Sequence, residues 1–150
     1  MTTKCRDILL VEDNQDDVIL TRRALKKNSI ANHLVVVTDG QEALDFLFPK
    51  GDSGSEAAPA APCLILLDLK LPKVSGLEVL QRLRSEERTR LTPVVVLTTS
   101  TEERDLIESY SLGANSYVRK PVDFNRFVEA VQQLGMYWLL LNEPAPTPRD

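Results

Sequence analysis

Cysteine, histidine and aromatic residues are scarce in this chain of 150 residues, which holds two Cys, one His, and 5% Phe, Trp and Tyr together. Cys5 and Cys63 lack the pair spacing of a zinc site or a redox motif, so both read as ordinary thiols. The lone His33 opens an apolar run and has no catalytic partners around it, which makes it a half-exposed strand residue rather than a phosphate carrier. Long apolar runs are missing too. The opening Met-Thr-Thr-Lys-Cys-Arg-Asp has no signal-peptide core, and no later run approaches the roughly 20 residues of a membrane span. A cytoplasmic location and no membrane contact are expected. Clustered positive charge is also absent: 18 basic residues lie scattered in a chain of net charge -4, so no basic stripe stands ready for nucleic acid.

What is present suits one soluble domain with one core, at 43% hydrophobic and 27% charged. Five short runs rich in branched residues alternate with amphipathic stretches, which predicts βα units wound into a parallel sheet. The strands are expected at Asp7 to Glu12, His33 to Thr38, Cys63 to Asp68, Pro93 to Thr98 and Ser116 to Val118. Their unbroken Val, Ile and Leu is the pattern of strands covered on both faces. Helical spacing appears in Val18-Ile19-Arg22-Leu25, Ala43-Leu44-Leu47, Leu77-Leu80 and Leu106-Tyr110. It is clearest in Phe124, Phe127, Val128, Val131 and Trp138, with Asp123 as N-cap. Pro49 to Pro62, rich in Gly, Ser, Ala and Pro, reads as a mobile surface loop. Residues 1–141 are expected to form the domain with an extended fifth helix, and 142–150 a Pro-rich tail.

Polar residues punctuate the ends of the apolar runs. Ile8-Leu9-Leu10-Val11 leads into Glu12-Asp13, and Cys63-Leu-Ile-Leu-Leu67 leads into Asp68. Ligands of open parallel sheets bind outside the carboxyl ends of the strands. Three carboxylates on one such edge repel unless a cation joins them, and oxygen ligands select a hard ion such as Mg2+. Glu12-Asp13 also suits a plain cap on the helix that follows. Thr98 closes the fourth run, with Thr99 and Ser100 as competing hydroxyls, and Lys120-Pro121 follows Tyr117-Val118-Arg119.

Taken in order, Glu12-Asp13, Asp68, Thr98, Tyr117 and Lys120-Pro121 resemble a response-regulator receiver domain of two-component signalling over about residues 7 to 135. The intervals match that family, thirty residues from Asp68 to Thr98 and twenty-two from Thr98 to Lys120. The resemblance implies a flavodoxin-like α/β fold, five parallel strands in the order 2-1-3-4-5 with five helices. It also implies Asp68 as phosphoacceptor, with Mg2+ held by Asp13, Asp68, the backbone carbonyl of Lys70 and, through water, Glu12. Lys120 and Thr98 would contact phosphoryl oxygens, Pro121 would be a cis-proline, and Thr98 and Tyr117 would form a switch. Tyr117 also suits a plain core aromatic.

The ending Tyr137-Trp138-Leu139-Leu140-Leu141 looks like that of single-domain receivers paired with bacterial phytochromes and related sensor kinases. It implies a stand-alone phosphoacceptor switch, not an enzyme, served by a sensor histidine kinase such as a bacterial phytochrome. A homodimer is expected through the fourth helix, fifth strand, fifth helix and tail, the five apolar residues acting as a dimer arm. The rival is a longer helix folded onto its own domain. A haloacid-dehalogenase phosphatase also uses a strand-end Asp with Mg2+, but needs a second Asp two residues on, where this chain has Lys70. A receiver-like module working without phosphorylation would be expected to lack one of the acids, Thr98 or Lys120.

Overall fold

A computed structural model describes residues 7–27, 32–49, 61–120, 123–143 and 145. The chain alternates strand and helix: β1 (Asp7–Val11), α1 (Gln15–Lys27), β2 (His33–Val37), α2 (Gly40–Leu47), β3 (Leu64–Leu67) and α3 (Gly76–Ser85). It continues through β4 (Val94–Thr98), α4 (Glu103–Ser111), β5 (Ser116–Arg119) and α5 (Phe124–Gly135) to a π-helical segment, Met136–Leu141. All strand pairs are parallel, in the order β2-β1-β3-β4-β5.

Alternation of side chains across the sheet explains the two helical layers. Leu9, Val11, Ile65, Leu67, Val94 and Val96 face Ala43 and Leu47 of α2 and Val79, Leu80 and Leu83 of α3. Ile8, Leu10, Leu64, Leu66, Val95 and Leu97 face Val18, Ala24 and Leu25 of α1 and Phe127, Val128 and Val131 of α5. Each fully buried aliphatic side chain contributes roughly 2 kcal/mol. The central strands therefore tolerate no polar residue before their carboxyl ends.

The starts of α1, α2, α3 and α5 are set by side-chain caps, whereas α4 has none. Asn14 accepts from the Asp17 amide at 3.1 Å, Asp39 from Glu42 at 2.7 Å, Ser75 from Glu78 at 3.3 Å and Asp123 from Arg126 at 3.2 Å. Glu42 answers by accepting from the Thr38 amide at 2.7 Å, and so joins the end of β2 to α2.

Several boundaries differ from expectation. Glu12, Thr38 and Asp68 fall just outside their strands, although Glu12 N–H still donates to Val37 and Asp68 N–H to Val11. β5 runs one residue further, to Arg119. In α4, Ile107 and Tyr110 face solvent and the one fully buried residue is Ser109, so the apolar spacing there does not mark a core face. Cys63, expected as an ordinary thiol, is disulfide-bonded, while Cys5 lies outside the described residues. The loop expected at 49–62 falls largely outside the described residues, as does Pro121, the expected cis-proline.

Candidate functional site

β1 and β3 lie side by side at the sheet's centre, yet β1 leads to β2 on one side while β3 leads to β4 on the other. The chain thus reverses its direction of winding there, which opens a crevice at the carboxyl edge. Glu12, Asp13 and Asp68 leave the sheet at this point. Each offers a carboxylate oxygen, and the three oxygens lie within 4.8 Å of one another. Such a hard, oxygen-only donor set fits a divalent cation.

Lys120 arrives from the end of β5. Its backbone N–H donates to the Thr98 carbonyl at 2.7 Å, which fixes its root beside the end of β4. Its ammonium donates to Glu12, to Asp17 at 2.8 Å and to Asp68 Oδ2 at 3.3 Å. The other Asp68 oxygen accepts from the Lys70 amide at 3.3 Å. Thr98 is buried at the last position of β4, and its Oγ1 accepts from the Ser100 amide at 3.3 Å. Thr99, the rival hydroxyl, is exposed.

Burial and charge act on these groups in different directions. Burial pushes the Glu12 carboxyl from 4.5 up to about 7; the Lys120 contact opposes that rise and the Asp68 charge adds to it. For Lys120, burial works downward, but hydrogen bonds to Asp17 and Glu12 and the charges of Asp68 and Glu12 outweigh it. The ammonium therefore stays charged.

Asp68 is held from behind by α3. The Gly76 N–H donates to the Leu69 carbonyl at 2.9 Å, and a Cβ on Gly76 would lie 2.2 Å from the Asp68 carbonyl oxygen. Only glycine lets the first turn of α3 approach the Asp68 backbone so closely.

Tyr117 on β5 is half-buried against the α2–α3 side of the core, with its hydroxyl 3.4 Å from the Ser100 carbonyl. Ser100 Oγ in turn donates to Asp105 in the first turn of α4 at 2.6 Å. The expected residues Glu12, Asp13, Asp68, Thr98 and Lys120 thus converge, and Tyr117 reaches them through the β4–α4 loop. His33 lies away from them, exposed and 3.6 Å from Asp7. Within the expected arm, Trp138 and Leu139 pack against the α1–α5 side of the core, while Tyr137 is exposed. The side chains of Leu140 and Leu141 are outside the description.

Residues 8–132 match the response regulator receiver domain family. The chain belongs to that family. It is 42% identical to the response regulator Rcp1 of Synechocystis over 88% of either chain. The solved Mn2+-bound form of Rcp1 superposes with a TM-score of 0.84, at 38% identity over 94% of this chain and 99% of that one. The phosphorylated cyanobacterial phytochrome response regulator RcpA gives a TM-score of 0.86 at 38% identity, covering 95% and 99%. The bacteriophytochrome response regulator RtBRR is 51% identical, with a TM-score of 0.71 and coverage of 95% and 85%. Receiver domains bind a divalent metal in an acidic pocket and act as phosphoacceptor switches, so the α/β fold, strand order and acidic cluster of this receiver agree with its family.

The sequence reading missed Asp17 and Arg84. Asp17 lay hidden because acids in a helix's first turn are common, and Asp16 stands beside it. Its place in the first turn of the helix that follows Glu12-Asp13 is the available signal. Arg84 donates to the carbonyls of Gly113, Thr89, Arg90 and Thr92 and to the Asn115 side chain, all at 2.9–3.2 Å. Nothing in its sequence neighbourhood signals that role.

Proposed function

We propose that this receiver is a stand-alone response regulator in which Asp68 accepts a phosphoryl group from a sensor histidine kinase in a Mg2+-dependent reaction. The carrying observation is that Asp68 shares one ammonium with Glu12 and Asp17 and one cluster of cation donors with Glu12 and Asp13. Asp13, Asp68 and the Lys70 carbonyl would hold Mg2+ directly, with Glu12 acting through water. When bound, the ion supplies charge neutralisation at the phosphoryl oxygens.

The remaining work falls to side chains. A carboxylate oxygen of Asp68 forms the new P–O bond as the donor's P–N bond breaks, and the electron pair of that bond goes to the imidazole. Lys120 donates to one phosphoryl oxygen and the Thr98 hydroxyl to another. Asp68 is the sole covalent carrier, and loss of the group by water completes a switch rather than an enzyme cycle. Similarity to the phytochrome response regulator RcpA and to the bacteriophytochrome response regulator RtBRR favours a bacterial phytochrome as the donor kinase.

The output follows from Thr98. Its movement toward the phosphoryl group would disturb the Ser100 amide that it now accepts from, and with it the Tyr117 and Asp105 contacts. That reshapes the α4–β5–α5 face, a two-state change read by another protein or a second copy. No helix among the described residues is long and apolar enough to cross a membrane.

Intact mass after incubation with Mg2+ and acetyl phosphate is the test. One phosphate should add to the native protein and none to Asp68→Asn. An adduct that survives the substitution would remove Asp68 from its role.

A further inference from the structure

We infer that Asp17 is a positioning residue for phosphoryl transfer: it anchors the Lys120 ammonium so that the donor now facing Asp68 can turn to a phosphoryl oxygen. This rests on the phosphoacceptor reading of Asp68. An ammonium has three N–H donors on a flexible stem, and three carboxylates take them here. Two of those partners have other work once the site is loaded. Asp68 gives an oxygen to phosphorus, and Glu12 belongs to the cation cluster. Asp17 belongs to neither task, and its 2.8 Å contact is shorter than the 3.3 Å contact of Asp68.

Asp17 is itself well held. Its N–H donates to Asn14 at 3.1 Å and its carbonyl accepts from the buried Thr21 hydroxyl at 2.7 Å. The next residue, Val18, is buried in the core that α1 shares with the sheet and α5, which holds the first turn of α1 in place. The bland alternative is a helix N-terminal acid that serves only the helix dipole. Asp16 fits that role: it is exposed in the same turn and makes no Lys120 contact.

The kinetics of phosphorylation by acetyl phosphate with Mg2+ discriminate the two, with maximal rate and half-saturating donor concentration measured separately. Asp17→Ala should lower the maximal rate on the order of tenfold without weakening donor saturation, because a misplaced ammonium fails only as the group transfers. Asp17→Asn keeps an acceptor oxygen and should retain most of the rate. Asp16→Ala removes an equal helix-terminal charge and should match the native protein. Solvent exchange of the Lys120 ammonium, followed by NMR without any phosphodonor, should quicken in Asp17→Ala alone. Equal behaviour of the Ala and Asn variants, equal behaviour of Asp17→Ala and Asp16→Ala, or unchanged rates throughout would overturn the inference. Failure of the native protein to take phosphate on Asp68 is a separate result, and it would strike the phosphoacceptor reading instead.

Discussion

Glu12 shows how the fold changes one residue's chemistry. Its carboxyl, pushed up to about 7 by burial, binds a proton more tightly folded than unfolded. That contribution to stability is complete below the ordinary value of 4.5 and is lost as pH rises through 7. A divalent cation held beside Glu12, even through water, favours its ionised form, so its affinity should run the other way. Mn2+ or Mg2+ binding followed by calorimetry should weaken about tenfold from pH 8 to pH 6, as one site near 7 takes up its proton. The Glu12→Gln variant should lose most of that dependence, and a flat profile in the native protein would refute the assignment. Glu12 could be singled out in the sequence because it follows an apolar run, but its proton affinity could not. That depends first on burial by parts of the chain remote in sequence, with Lys120 opposing the rise and Asp68 adding to it. Asp68, Thr98 and Lys120 were legible for a related reason: strand and helix lengths fix the intervals between successive strand ends.

Among the elements, strands were the most readable. The Val, Ile and Leu runs must be continuous where α1 and α5 cover one face and α2 and α3 the other. Exposure of Ile107 and Tyr110 on α4 was not readable, since helical spacing marks an apolar face without saying what covers it. Joints between elements were equally hidden. Arg84 in the last turn of α3 binds carbonyls from the turn before β4 and from the turn between α4 and β5, and Asn115 also accepts from the Val94 amide at 2.8 Å. Replacing Arg84 by Met keeps the stem but leaves those acceptors without their donor. We expect a loss of about 3 kcal/mol, because several part-buried carbonyls lose a charged donor at once. The thermal midpoint should fall by roughly 10 °C for a domain of this size. Differential scanning calorimetry checks it, and a shift of one or two degrees would mean that water replaces the guanidinium freely.

At the scale of the whole molecule, the tail joins the domain's own core to an exposed aromatic. α5 gives way at Gly135 to the wider Met136–Leu141 turn, whose Trp138 and Leu139 return to the domain's own core. Tyr137 meets the Trp138 ring edge-on, 5.0 Å between centroids, and remains exposed. With Ile107 and Tyr110 it gives the described surface three large apolar side chains on α4 and the tail. In the homodimer expected from the sequence, Tyr137 would anchor on the partner, while Trp138 and Leu139 would stiffen the arm from behind. The two roles separate by measurement. A chain ending at Gly135 should sediment as a monomer and also melt lower, since it loses both the anchor and the core contacts. Tyr137→Ala should keep its melting point and weaken dimerisation at least tenfold, the usual scale for a buried interface aromatic. If Tyr137→Ala sediments like the native protein and truncation lowers only the melting point, the tail serves its own domain. The signal would then have to leave through α4.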